Sequence, residues 1–243
     1  MTLDTLCAMR WVEQEGNERG FVVERGGQDV PGVLWTPGDA DEPFPLVLAG
    51  HGYLLNKRVL FPTTLPADLT SRGLAVAAID ASEHGERALD GGRDAAAVDR
   101  AFRAHWRSHG GTEMAADWRA ALDELARLPE IDERRAGYWG LSLGTQTGLA
   151  FLASEPRVRA AVLGLSALPD PGPRIAEYAG GVRCPVFFIQ QLDDETATLE
   201  RSQALYEAIG SEDKTLRSSA GAHTEVPAAV FEEAYAFLAE RLE

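Results

Sequence analysis

The chain has 243 residues, 45% of them apolar and 25% charged, with 38 acidic against 23 basic side chains. That length suits one domain with a single large core and room for a buried site, so one domain over 1–243 is expected. The net charge of −15 argues against nucleic acid or an anionic membrane surface as main partner, and no apolar run approaches the roughly 20 residues of a membrane span.

Residues 1–10 carry an acid at Asp4 and lack a basic segment followed by an apolar core, so no secretory leader is expected and cytoplasmic residence is the default. Two strand-like runs, 20–24 and 30–35, flank the turn signal Gly26-Gly27-Gln28-Asp29 and predict a hairpin. From 45 onward strand and helix alternate: strands over 45–49 and 74–79, with a helix over 65–72 between them ending at Gly73. Residues 113–128 repeat apolar side chains every three or four positions, an amphipathic helix leading into a strand over 136–141. Further strands are predicted over 160–165, 185–190 and 215–219, and further helices over 145–154, 199–209 and 226–242. Strands apolar on both faces, alternating with helices, build a mostly parallel sheet, so the fold class is α/β. Residues 85–111 break the alternation and read as a short helical insertion over the sheet edge. Cys7 and Cys184 are expected to be reduced.

Gly140-Leu141-Ser142-Leu143-Gly144 has the spacing of a nucleophile elbow, in which a sharp, strained turn lifts a serine hydroxyl to the top of a sheet. Composition alone yields roughly 0.1 such matches per chain. What gives this one weight is its seat between a predicted strand and a predicted helix. Serine is a poor nucleophile until a base takes its proton, and histidine is the usual base near neutral pH. Elbow partners follow the serine in the order acid, then histidine, and of His51, His84, His105, His109 and His223 one alone lies downstream, His223. The acid should follow a strand. Asp193, Asp194 and Glu195 all do so after 185–190, and Asp170 does so after 160–165. The oxyanion of a tetrahedral intermediate needs N–H donors, and Leu143 and Tyr53, the latter in the Gly50-His51-Gly52-Tyr53 loop, are the candidates.

With His51-Gly52, Ile79-Asp80-Ala81-Ser82-Glu83-His84-Gly85, the elbow, Asp193-Asp194 and Gly221-Ala222-His223 in place, the chain resembles the α/β-hydrolase superfamily from Pro45 to its C-terminus. The likeness is to its small dienelactone-hydrolase-like and esterase branch. The expected architecture is an α/β-hydrolase fold, a mostly parallel sheet flanked by helices, joined by the N-terminal antiparallel hairpin and with the 85–111 insertion as a small cap over the active site. Relatives place the acid in a Gly-x-x-Asp turn, which laid on Gln191-Leu192-Asp193-Asp194 selects Asp194. Gln190-Gln191 and Thr198 depart from the usual residues of that turn. Serine in place of the cysteine of true dienelactone hydrolases implies ordinary ester cleavage, with Ser142, Asp194 and His223 as triad and Tyr53 and Leu143 as oxyanion donors. The expected substrate is a small-molecule ester or thioester, with no cofactor and no metal.

In the same family His51 and His84 are structural, bracing the oxyanion loop. The His105–His109 pair, one helical turn apart beside Trp106, reads as a solvated helix face, with contact to substrate as its alternative. Lys57 and Arg58 read as a surface pair, with attraction of an anionic acyl group or a coenzyme A phosphate as the alternative.

Overall fold

The computed structural model describes residues 8–38, 42–89, 91–169 and 173–243. Three antiparallel strands open the chain: β1 (Ala8–Glu15), β2 (Glu18–Arg25) and β3 (Gln28–Trp35). There follow β4 (Phe44–Gly50), α1 (Leu65–Thr70), β5 (Ala75–Ile79), α2 (Ala95–His109), α3 (Thr112–Leu125) and β6 (Ile131–Leu141). The remainder runs α4 (Leu143–Leu152), β7 (Val158–Gly164), α5 (Pro173–Gly181), β8 (Val186–Gln191), α6 (Leu199–Ala208), β9 (Lys214–Ser219) and α7 (Ala228–Leu242).

The nine strands among the described residues form one sheet in the order β1-β2-β3-β5-β4-β6-β7-β8-β9, parallel from β5 to β9. β4 and β6 pair in register through Leu48 opposite Tyr138 and Gly50 opposite Gly140. From β4 the chain steps to one side for β5 and returns to the other side for β6. Such a reversal opens a crevice at the carboxyl ends of β4 and β6, where open α/β sheets place their ligands. Both faces of the parallel strands are covered, as their apolar runs require. Side chains of α3, α4, α5 and α6, including Trp118, Leu122, Phe151 and Leu205, pack on one face with Tyr138 and Phe188. Those of α1 and α7, including Leu69, Tyr235 and Leu238, pack on the other with Trp139 and Ile189.

The predicted hairpin is β2–β3, tightened to the two-residue loop Gly26-Gly27 by pairing of Arg25 with Gln28. β1 extends it by a strand that carries no sequence signal: seven of its eight residues are exposed, and its polar and apolar residues do not alternate. α5 was equally unmarked. The insertion contains a 3-10 turn over Gly85–Arg87 and α2, whose N-cap Asp94 accepts hydrogen bonds from the amides of Ala96 and Ala97. Gly110 and Gly111 then turn the chain into α3, with φ of 58° and 88° that a residue bearing Cβ adopts at a cost. Among the described residues no helix is long and apolar enough to cross a membrane.

Candidate active site

Ser142 stands at the junction of β6 and α4 with φ 57° and ψ −116°. Among the described residues four non-glycines have positive φ: Leu54, Glu83, Ser142 and Leu165. Each lies in the loop leaving a parallel strand, β4, β5, β6 and β7 in turn. Backbone strain therefore gathers along the crevice, where over-determined packing holds functional geometry.

The elbow closes because its flanking residues lack side chains. A Cβ on Gly140 would stand 2.5 Å from the Gly144 carbonyl oxygen, and one on Gly144 would stand 2.5 Å from that of Gly50 on β4. Buried Thr145 ties the turn to β7: its hydroxyl accepts from Gly164 N–H at 2.9 Å and reaches the carbonyls of Gly140 and Gly164 at 2.7 and 2.8 Å. Ser142 N–H donates to that same Gly164 carbonyl at 2.9 Å. On the opposite side the Tyr138 hydroxyl donates to the Gly144 carbonyl at 2.7 Å.

Ser142 Oγ lies 3.0 Å from His223 Nε2, and His223 Nδ1 lies 2.8 Å from Asp194 Oδ2. With its proton on Nδ1, the ring donates to the carboxylate and offers the Nε2 lone pair to the serine hydroxyl. Thr196 completes the cluster, its hydroxyl 2.9 Å from Asp194 Oδ1 and 2.7 Å from His223 Nδ1. Burial opposes charge on Asp194. Hydrogen bonds from the Ala197 amide, the His223 ring, and the Thr196 amide and hydroxyl outweigh it and hold the carboxyl below its ordinary range. The adjacent acids fasten the same loop by its backbone. Asp193 Oδ2 accepts from Gly221 N–H at 3.1 Å and Glu195 Oε2 from His223 N–H at 3.0 Å. Asp170, the other acid singled out, lies outside the described residues.

Leu143 is the first residue of α4, so its N–H is one of the amides a helix cannot satisfy internally. Tyr53 and Leu143 both line a cavity of about 860 Å³ that opens at Ser142 and His223. Leu55, Phe61, Phe102, Trp106 and Leu165 give that cavity a largely apolar wall. α2 is fastened over it. The Tyr53 hydroxyl donates to Asp99, and the Phe102 ring sits 5.7 Å from Tyr53, 5.1 Å from His84 and 5.6 Å from Trp106. Burial and Asp99 push the Tyr53 hydroxyl up to about 12, so it remains a donor at neutral pH.

No model of a known protein family and no curated protein matches the chain. Solved structures do. A cold-adapted esterase from an Arctic intertidal metagenomic library, in a PEG-bound complex, superposes with a TM-score of 0.84 at 35% identity, over 96% of this chain and 100% of that one. The chain belongs to this esterase branch of the α/β-hydrolases. Acetyl xylan esterase 1 from Thermoanaerobacterium sp. JW/SL YS485 matches this α/β-hydrolase with a TM-score of 0.73 at 19% identity, over 100% and 90% of the two chains. An acetyl xylan esterase from Paenibacillus sp. R4 does so at 0.69 and 18%, over 98% and 89%. At those identities the likeness is one of fold.

Several other residues singled out in the sequence occupy places in the hydrolase that their neighbours in the chain do not reveal. His51 is buried beneath the loop that follows β4, where its Nδ1–H donates to the Gly52 carbonyl at 2.8 Å and its Nε2 accepts from Ala81 N–H at 2.9 Å. Desolvation lowers it to about 4. Lys57 is not a surface residue: it is buried, with Nζ 2.8 Å from Asp80 Oδ2, while Arg58 pairs with Glu13 and Glu18. Trp106 lines the cavity, whereas His105 and His109 turn to Glu113. Thr145 and Thr196 are not marked in the sequence, since a lone threonine after a glycine or an acid carries no signal of its own.

Proposed function

We propose that the chain is a carboxylic ester hydrolase that works through an acyl-enzyme on Ser142, with His223 as general base and acid and Asp194 as the orienting carboxylate. The observation that carries this reading is the continuous hydrogen-bonded file from Asp194 through His223 to Ser142, set on a strained elbow beneath an apolar cavity. His223 Nε2 takes the Ser142 proton as Oγ bonds to the ester carbonyl carbon, and the N–H groups of Leu143 and Tyr53 receive the developing oxyanion. Collapse breaks the bond to the alcohol oxygen, which leaves with the proton held by His223. Water, deprotonated by His223, then attacks the acyl carbon, and the acid departs as Ser142 regains its proton. Asp194 stays ionised throughout, in keeping with its lowered carboxyl.

The domain comprises 1–243 with 85–111 as its cap, because α2 supplies Phe102 and Trp106 to the cavity wall. Lys57 is committed to Asp80 and Arg58 to two glutamates, so neither is free to receive the phosphates of a coenzyme A thioester. Turnover of p-nitrophenyl acetate beside acyl-coenzyme A tests the substrate class. Ser142→Ala tests the mechanism: the fold is retained, and ester turnover falls by about a millionfold, the scale seen when a triad nucleophile is removed. Unchanged turnover in that variant overturns the mechanism.

A further inference from the structure

The last turn of α2 and the first turn of α3 bring together three metal-ligand side chains that ester hydrolysis does not use. His105 Nε2 lies 3.4 Å from Glu113 Oε2, and His109 Nε2 lies 3.6 Å from Glu113 Oε1. One donor atom from each residue falls within 4.8 Å of the other two. The two rings, one turn apart on α2, are 4.4 Å apart and inclined by 32°. Residues at i and i+4 share a helix face, so both rings can serve one ion without backbone movement.

Part of the arrangement is already oriented as a ligand set. His109 Nδ1 stands 3.1 Å from the His105 carbonyl oxygen, so Nδ1–H donates there and the Nε2 lone pair is left for a cation. Outer hydrogen bonds of this kind fix the tautomer and direction of metal-bound histidines. His105 Nε2 is shut off from solvent and makes no hydrogen bond to any described residue, although a carboxylate oxygen faces it.

We propose that His105, His109 and Glu113 form a binding site for a divalent transition-metal ion of the Zn²⁺ class, with solvent as the remaining ligand. Two imidazoles and a carboxylate suit Zn²⁺, Co²⁺, Ni²⁺ or Cu²⁺ rather than Mg²⁺ or Ca²⁺. Tetrahedral bonds of about 2.0–2.1 Å set ligand atoms roughly 3.3 Å apart. Here the two rings face different oxygens of Glu113, at 3.4 and 3.6 Å, and one donor atom from each residue lies within 4.8 Å of the others, so side-chain rotation draws the three onto one ion. His109, 43% exposed at its side chain, gives solvent and ion a way in. None of the three residues lines the cavity at Ser142, so the ion takes no part in the ester chemistry. Its effect is mechanical: it clamps the end of α2, which carries Trp106, to the start of α3.

Calorimetric titration of the chelator-treated full-length protein with ZnCl₂, and visible absorption on titration with CoCl₂, test the site. The expected result is one equivalent bound, a cobalt spectrum of imidazole coordination, a raised Tm with zinc, and no competition from Mg²⁺ or Ca²⁺. His109→Ala and Glu113→Gln alter partly exposed side chains; with circular dichroism confirming the fold, each weakens binding beyond the roughly 10–100-fold that losing an outer partner costs. Absence of saturable binding, or one ion held equally well by both variants, overturns the proposal.

Discussion

Thr145→Val isolates the contribution of one hydroxyl to the elbow, because the side chain keeps nearly its volume and loses only its polar atom. Thr145 is buried, and its Oγ1 accepts from Gly164 N–H and donates toward the Gly140 and Gly164 carbonyls. Gly164 O keeps Ser142 N–H as a partner, so the acceptor side is partly compensated. Gly164 N–H loses its acceptor. A buried donor left unsatisfied costs about 1–3 kcal/mol, and the lost hydrogen bond on the carbonyl side adds about 1 kcal/mol. The expected destabilisation is therefore about 2–4 kcal/mol. Urea unfolding reads it as a lowered midpoint with unchanged slope. Turnover should fall as well, since displacing the Ser142 backbone by about 1 Å is enough to lose some hundredfold. Thr145→Ser, which retains the hydroxyl, should lose far less of both. A midpoint for Thr145→Val within about 0.5 kcal/mol of the parent refutes the bracing role assigned to this hydroxyl.

Three other outcomes follow from the site and its surroundings. Asp194→Asn should lower ester turnover by about 10⁴-fold, the scale for an orienting carboxylate turned amide. Asp193→Asn, which touches only the Gly221 amide, should change turnover less than tenfold, and reversal of that ranking by steady-state kinetics overturns the choice of acid. His51 is neutral and buried at about 4, whereas the unfolded chain titrates it near 6.5. The folded state resists the proton, so the stabilisation is complete above pH 6.5 and is lost as pH falls toward 4, by about 3 kcal/mol in all. His51→Gln should flatten that part of the stability profile, measured by urea unfolding across the range, and an unchanged profile removes His51 as its source. Trp106→Ala should enlarge the cavity and shift preference toward longer acyl chains, by about 1–3 kcal/mol per methylene newly accommodated. An unaltered kcat/KM series over p-nitrophenyl esters of increasing length contradicts its place in the wall.

Much of this architecture is legible in the chain because parallel strands buried on both faces leave continuous apolar runs, as at Leu46–Ala49 and Val186–Ile189. The elbow is legible for a related reason, since a turn whose Cβ atoms would collide demands glycine at both 140 and 144. β1 is not, because an edge strand with exposed Arg10, Glu13 and Glu15 has no buried face to pattern. Lys57 looks like a surface residue beside Arg58. Its burial depends on Asp80, 23 residues away, which accepts from its amide at 2.9 Å and its ammonium at 2.8 Å. Asp193, Asp194 and Glu195 all engage the His223 loop; the residue pattern by itself leaves them equivalent, the family resemblance points to Asp194, and three-dimensional placement sets Asp194 against the ring and the other two against the backbone. The sequence of α2 does not mark which face His105 and His109 take, because Glu113, to which both turn, belongs to the next helix.

Ser142 as an activated nucleophile is the central claim, and covalent labelling with a fluorophosphonate followed by peptide mass mapping tests it most directly. The expected result is one adduct per chain on the peptide carrying Ser142, ester turnover lost in proportion to labelling, and no adduct in His223→Ala. An adduct on another serine, or full turnover in protein labelled at Ser142, contradicts it.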